Sequence, residues 1–166
     1  QSSSYNRFKD IPRPGHADLT AGNKYGGFND PRGSGHFSGR ITLPLVAAGA
    51  LAKKIVPAVM IESEILEIGG AGDYAERLKE AIASGDSLGG IIEVRMNNVP
   101  SGLGEPFFNS FESVVSHLAF SVPAVRGIEF GSGFAAARMK GSEHNDPIVS
   151  RDGETLTNNA GGINGG

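Results

Sequence analysis

From residue 43 to about 130 the apolar positions of this chain alternate between helical and strand periods, with polar, glycine-rich stretches on either side. Leu43, Val46, Ala47, Ala50 and Leu51 recur at i, i+3, i+4, i+7 and i+8, which predicts a helix with one apolar stripe. Thr42 is its expected N-cap, Pro44 suits its first turn, and Lys53 and Lys54 complement the dipole in its last. Residues 59–68 predict a strand with Val59, Ile61, Ser63 and Ile65 on one face, broken by Gly69-Gly70. Tyr74, Leu78, Ala81 and Ile82 then mark a second helix, capped by Asp73 and stopped near Gly85. A second strand is expected over 88–99 and a turn-rich crossing over 100–106. Phe107, Phe111, Val114, Val115 and Leu118 form the clearest helical stripe. Pro123 follows it, and residues 125–130 are expected to be a third strand. Residues 1–42 and those beyond Gly141 are expected to be mostly loop, with one short strand over 147–150.

The order is therefore loop, α, β, α, β, α, β, loop. The expected strands carry polar residues at alternate positions, which argues for a sheet with one covered face rather than a fully buried parallel sheet. The expected class is α+β, with helices packed on one face of a sheet. The chain shows no internal repeat.

Composition narrows the function classes. The 166 residues are 39% apolar and 20% charged, the range of an ordinary globular domain. A net charge of -3 without a run of cations argues against a nucleic-acid binder. Cysteine is absent, which excludes disulfides and thiolate metal sites and fits a reducing compartment; the expected localisation is cytoplasmic. No apolar run is long enough to span a bilayer. The 25 glycines gather in discrete loops between the periodic segments.

Those loops hold the candidate chemistry. Arg13-Pro14-Gly15-His16-Ala17-Asp18 places a guanidinium, an imidazole and a carboxylate within six residues. Pro14 biases Arg13 toward extended geometry, and Gly15 is free to take a positive φ. Such a loop suits a ligand with anionic groups and a proton to move. Arg13 and Arg40 match phosphate or carboxylate by their fork geometry, with surface ion pairing as the plainer alternative. Ser34 and Ser38 supply hydroxyls beside Arg40, and Gly33, Gly35 and Gly39 let backbone amides approach an anion. Glu143, His144 and Asp146 match no metal spacing and read as a solvated turn, so no metal site is expected. His117 reads as a packing or capping residue.

One rival motif stands out. Gly131-Ser132-Gly133-Phe134-Ala135-Ala136 follows an expected strand and mimics a dinucleotide-binding turn, with Asp152 about twenty residues on. It would make the chain a non-catalytic nucleotide-binding module. Too few residues separate Gly133 from Gly141 for a parallel crossover.

Several segments, in order, resemble chorismate synthases. They are Arg-Pro-Gly-His-Ala-Asp at 13–18, Lys-Tyr-Gly at 24–26, the glycine-rich segment ending in Ser38-Gly39-Arg40, and Gly-Gly-Ile-Ile-Glu-Val at 89–94. Asn-Val-Pro-Ser-Gly-Leu-Gly-Glu-Pro at 98–106, Ser121 to Gly131, Gly-Ser-Glu-His-Asn-Asp at 141–146 and Asn-Asn-Ala-Gly-Gly at 158–162 continue the likeness. It covers the chain from about residue 10 onward, except roughly 57–85. The resemblance implies a lyase of the shikimate pathway that converts 5-enolpyruvylshikimate 3-phosphate to chorismate and phosphate. The reaction is an anti-1,4-elimination that uses reduced FMN without net redox change. The family fold is a β-α-β sandwich and its members are usually homotetramers; an association with NADP is also expected.

By the same resemblance, His16 is the histidine that exchanges a proton near the flavin, and Arg13 and Arg40 face the anionic groups of the substrate. His36, Phe37 and Ser38 fall where the family contacts flavin, as do Asn159 and Ala160. Many members carry Arg-Ser-Ser where this chain has His36-Phe37-Ser38. The family's Gly-Glu-Ser-His-Gly and Lys-Pro-Thr-Ser segments do not occur in these 166 residues. Residues 1–166 are therefore expected to be a single domain that forms the central portion of a larger one, inactive alone.

Overall fold

Two strands, β1 (Met60–Ile68) and β2 (Gly90–Asn97), pair antiparallel in the computed structural model, which describes residues 2–8 and 10–166. Gln1 and Lys9, part of the opening loop expected over 1–42, lie outside the described residues. Directly opposed residues share a sheet face. Ile61, Ser63 and Ile65 therefore lie with Met96, Val94 and Ile92 on an apolar face, as the alternation predicts. Glu62 pairs with Arg95, and Glu64 with Glu93, on a charged one. Two like charges in register repel. Arg95 sits between them, paired with Glu93 and 3.9 Å from Glu64. The register shifts between Ile65 and Glu67, so Leu66 bulges out of the ladder.

Helix α1 spans Asp18–Lys24, α2 Thr42–Ile55, α3 Ala75–Ser84, α4 Phe111–Phe120 and α5 Gly141–His144. The α2 helix begins at Thr42 itself, whose hydroxyl donates to the Gly39 carbonyl at 2.7 Å. The α3 helix is preceded by Tyr74 and receives no cap from Asp73. It ends as expected on Gly85, whose φ of 69° is left-handed. The α4 helix starts later than its stripe, because the Ser110 hydroxyl accepts the Ser113 amide at 3.2 Å and fixes the first turn there. Phe107 lies in the turn before it.

The molecule has an α+β architecture of helices and a small antiparallel sheet. Three sequence expectations fail. Residues 125–130 form no strand: Val125, Ile128 and Phe130 are half-buried, but no second segment among the described residues pairs with them. Residues 147–150 contribute a single bridge, Ile148 to Thr155. The expected opening loop contains α1 and short 3₁₀ turns at Ser2–Phe8, Gly35–Phe37 and Gly39–Ile41.

Two compact units divide the chain: residues up to Ala47 with Gly102–Gly166, and Ala48–Ser101. The second holds the sheet and α3. The first holds the loops that carry the candidate chemistry. Among the described residues the buried hydrophobic side chains are Ala21 in the first unit and Ala81 in the second. The apolar sheet face is open, with Val94 54% and Ile92 66% exposed.

Candidate active site

Residues 13–16 make the reversal that starts the site. Pro14 stands second and Gly15 third with φ 67°, and the His16 amide donates to the Arg13 carbonyl at 3.3 Å. This is the residue pattern of a type II turn. It returns the chain so that Arg13 meets Asp18, the first residue of α1. Arg13 Nε donates to Asp18 Oδ2 at 2.7 Å, Nη2 to Oδ1 at 2.7 Å, and the Arg13 amide to Oδ2 at 3.0 Å. The fork is also placed from outside: Nη2 donates to the Gly33 carbonyl at 2.9 Å, and the guanidinium lies 4.8 Å from the Phe8 ring centre.

The pairing fixes charge as well as shape. Hydrogen bonds from the Arg13 side chain hold the Asp18 carboxyl well below its ordinary range, and Asp18 raises Arg13 in return. Both are largely withdrawn from solvent, at 20% and 13% side-chain exposure. The Nη1 edge of Arg13 meets no protein acceptor among the described residues, leaving part of the fork for an anion.

His16 sits between two oxygens. Its Nδ1 lies 2.7 Å from Asp18 Oδ1 and its Nε2 lies 2.7 Å from Ser34 Oγ. His16, Asp18 and Ser34 line a pocket of about 250 Å³ whose wall also carries Ala21, Tyr25, His36 and Phe37. The His36 and Phe37 rings have centroids 4.0 Å apart, and the Tyr25 hydroxyl meets His36 Nε2 at 3.3 Å. Asp30, on the same wall, is lowered to about 2 by hydrogen bonds from Arg32.

His16, His36 and Phe37 thus share one pocket, with Arg13 behind it. Ser38 and Arg40 fall outside the lining, one turn farther along. Ser38 Oγ accepts the Arg40 amide at 3.2 Å, and the exposed Arg40 side chain has no partner among the described residues.

Asn159 and Ala160 are held by a residue that sequence reasoning gave no role. Asp146 accepts the Asn159 amide at 2.7 Å, the Ala160 amide at 2.8 Å and the Thr157 hydroxyl at 2.7 Å. These donors, the Ala160 amide foremost, lower its carboxyl below the ordinary value. Asn159 Nδ2 donates to the Glu143 carbonyl at 3.1 Å, so the 141–146 turn clamps the 157–160 loop.

The rival motif at 131–136 lacks both of its required neighbours. No strand precedes it, and Gly133–Arg138 is a 3₁₀ turn rather than a crossover helix. Gly131 admits backbone instead, and Gly133 the Glu129 side chain. A Cβ on Gly131 would collide with the Asn159 carbonyl oxygen and lie 2.6 Å from Ala160 C, and the Ser132 amide donates to that carbonyl at 2.7 Å. Among the described residues no cluster of His, Asp and Glu could hold a metal ion, and no helix is long and apolar enough to cross a membrane.

Comparison with known proteins gives one consistent result. The sequence profile of the chorismate synthase family matches residues 1–166. A chorismate synthase of Chitinophaga pinensis is 56% identical over 167 residues, covering 100% of this chain and 50% of that protein. One from Korarchaeum cryptofilum is 46% identical over 196 residues, covering 99% and 54%. A solved crystal structure of chorismate synthase superposes with a TM-score of 0.79 at 29% identity, over 90% of this chain and 58% of that one. The chain spans about half the length of the curated relatives it matches.

Proposed function

Since the chain belongs to the chorismate synthase family, we propose that it forms the central portion of a larger lyase domain. The whole protein would convert 5-enolpyruvylshikimate 3-phosphate to chorismate and phosphate. The observation that carries the reading is the Arg13–Asp18–His16 cluster opening on the His36–Phe37 wall of one pocket. Loss of phosphate leaves negative charge that fixed cations stabilise best in an ordered, partly dry site. Arg13 offers its Nη1 edge, fixed by Asp18 and the Gly33 carbonyl. Arg40 offers a second, unpaired guanidinium. His16 is the group that moves a proton, being a histidine held between a carboxylate and a hydroxyl.

The residue types fit reduced FMN. The pocket is slightly below the roughly 300 Å³ lower bound of whole-ligand sites, so it takes part of a flat ring system. Its wall is aromatic, with the His36 and Phe37 rings in contact and tilted 37° to one another. His36, Phe37 and Ser38 would hold the flavin from one loop, and Asn159 and Ala160 from another, set by Asp146. When bound, the flavin supplies the electron density that assists C–O cleavage without net redox change. A homotetramer, a cytoplasmic setting and an association with NADP belong to the same reading and rest on the family resemblance. No role for nucleic acid or membrane enters it.

The test is optical, on full-length protein. FMN is added with a substrate analogue, then NAD separately, while flavin absorbance and fluorescence are followed. The reading expects a flavin response that depends on the analogue. Binding of NAD with no flavin response would overturn it in favour of a nucleotide-binding module.

A further inference from the structure

We propose that Ser34 is a positioning residue for His16, holding the imidazole by Nε2 and passing its proton. The proposal rests on the reading of His16 as the proton-transferring group. Two nitrogens of one ring must be assigned. Arg13 Nη2 lies 3.3 Å from Nδ1 and would make it an acceptor. That nitrogen has only two hydrogens, and both have nearer acceptors, Asp18 Oδ1 at 2.7 Å and the Gly33 carbonyl at 2.9 Å. A bare Nδ1 lone pair 2.7 Å from a carboxylate oxygen would be repelled, so Nδ1 carries its proton toward Asp18. Nε2 is then the exchanging nitrogen, and Ser34 Oγ faces it at 2.7 Å.

A hydroxyl suits this place because it both donates and accepts. Toward neutral imidazole it donates to Nε2. Toward imidazolium it accepts the Nε2 proton while its own proton leaves for the acceptor, a basic ring nitrogen of the ligand seated in the pocket. Imidazole and hydroxyl then both end neutral, and the acceptor is protonated. The serine is held independently of its side chain, since its carbonyl accepts the Phe37 amide at 2.9 Å. Replacing the side chain therefore leaves the 3₁₀ turn at Gly35–Phe37 in place. The other titratable or charged groups facing His16 are Arg13 and Asp18 on its own segment, and Tyr25, Asp30 and His36 around the pocket.

The experiment compares Ser34→Ala, Ser34→Thr and His16→Ala in the full-length enzyme. It reads kcat and KM against pH, together with the ¹⁵N resonances of His16. Ser34→Ala is expected to lower kcat about tenfold with KM little changed. It should also move the limb of the pH–rate profile that belongs to His16 and shift the Nε2 resonance. Ser34→Thr, which keeps the hydroxyl, should restore all three. A Ser34→Ala enzyme with an unmoved Nε2 resonance and an unmoved pH limb overturns the proposal and leaves the role of His16 standing. Full turnover by His16→Ala overturns the proton-transfer reading itself, whatever Ser34 does.

Discussion

His16 Nε2 and Ser34 Oγ meet at 2.7 Å although eighteen residues separate them in the chain. The contact ties the turn at 13–16 to the glycine-rich loop at 33–35. The Arg13 bond to the Gly33 carbonyl does the same from the other side of the ring. The imidazole is thereby placed by both loops at once, while one face remains toward the pocket.

His16→Ala in the full-length enzyme is expected to reduce turnover by about 10²- to 10⁴-fold, the usual share of a general acid or base. The fold should survive, because the Arg13–Asp18 pair that closes the turn does not pass through the imidazole. Chorismate release measures the first, and an unchanged far-ultraviolet dichroism spectrum the second.

The Arg13–Asp18 pair has a predictable acid limit. Its folded carboxyl lies below the unfolded value of about 3.9, held there by the guanidinium. The pair therefore contributes its full stabilisation above that unfolded value, and loses it as pH falls through the lowered one. The Arg13 amide, which donates to Asp18 Oδ2, should stay protected from hydrogen exchange at pH 4.5. In Asp18→Asn it should exchange faster at every pH.

Asp146→Asn keeps the size of the side chain but loses an acceptor and the charge. With three donors converging on one carboxylate, the 157–160 loop should loosen. Faster exchange of the Asn159 and Ala160 amides reports the loosening directly. FMN affinity is expected to fall roughly tenfold, measured by flavin fluorescence titration. Unchanged exchange with unchanged affinity would remove Asp146 from the site.

The parts legible in the sequence are those with a period. The helices at 42–55, 75–84 and 111–120 and the strands at 60–68 and 90–97 follow from apolar spacing, with the caps Ser110 and Gly85 setting two of the ends. The α1 helix escaped because it is seven residues long, contains Gly22 and presents only Leu19 and Ala21 as apolar positions. Residues 125–130 have strand composition, but a strand needs a partner edge, and composition carries no information about one. The site divides in the same way. Arg13, His16 and Asp18 are close in sequence and could be read together. The partnership of His16 with Ser34, and of Asp146 with Asn159 and Ala160, is tertiary and leaves no local mark.

Gly131 provides a backbone test of the same loop. Its φ is 54°, and a methyl group there meets the Asn159–Ala160 backbone. Gly131→Ala is expected to cost about 1–3 kcal/mol in a denaturant titration of the full-length protein. Gly127→Ala, with nothing within 4 Å of its added Cβ, should be nearly neutral and serves as the control.

Ala21 is the least exposed apolar side chain described here, at 4%, and it also lines the pocket beside His16. A single methyl group therefore acts as a depth gauge for whatever ring edge enters. Valine at this position would make the pocket shallower, and glycine would deepen it. The reach of a ligand toward His16 is thus adjustable separately from the proton transfer proposed for His16.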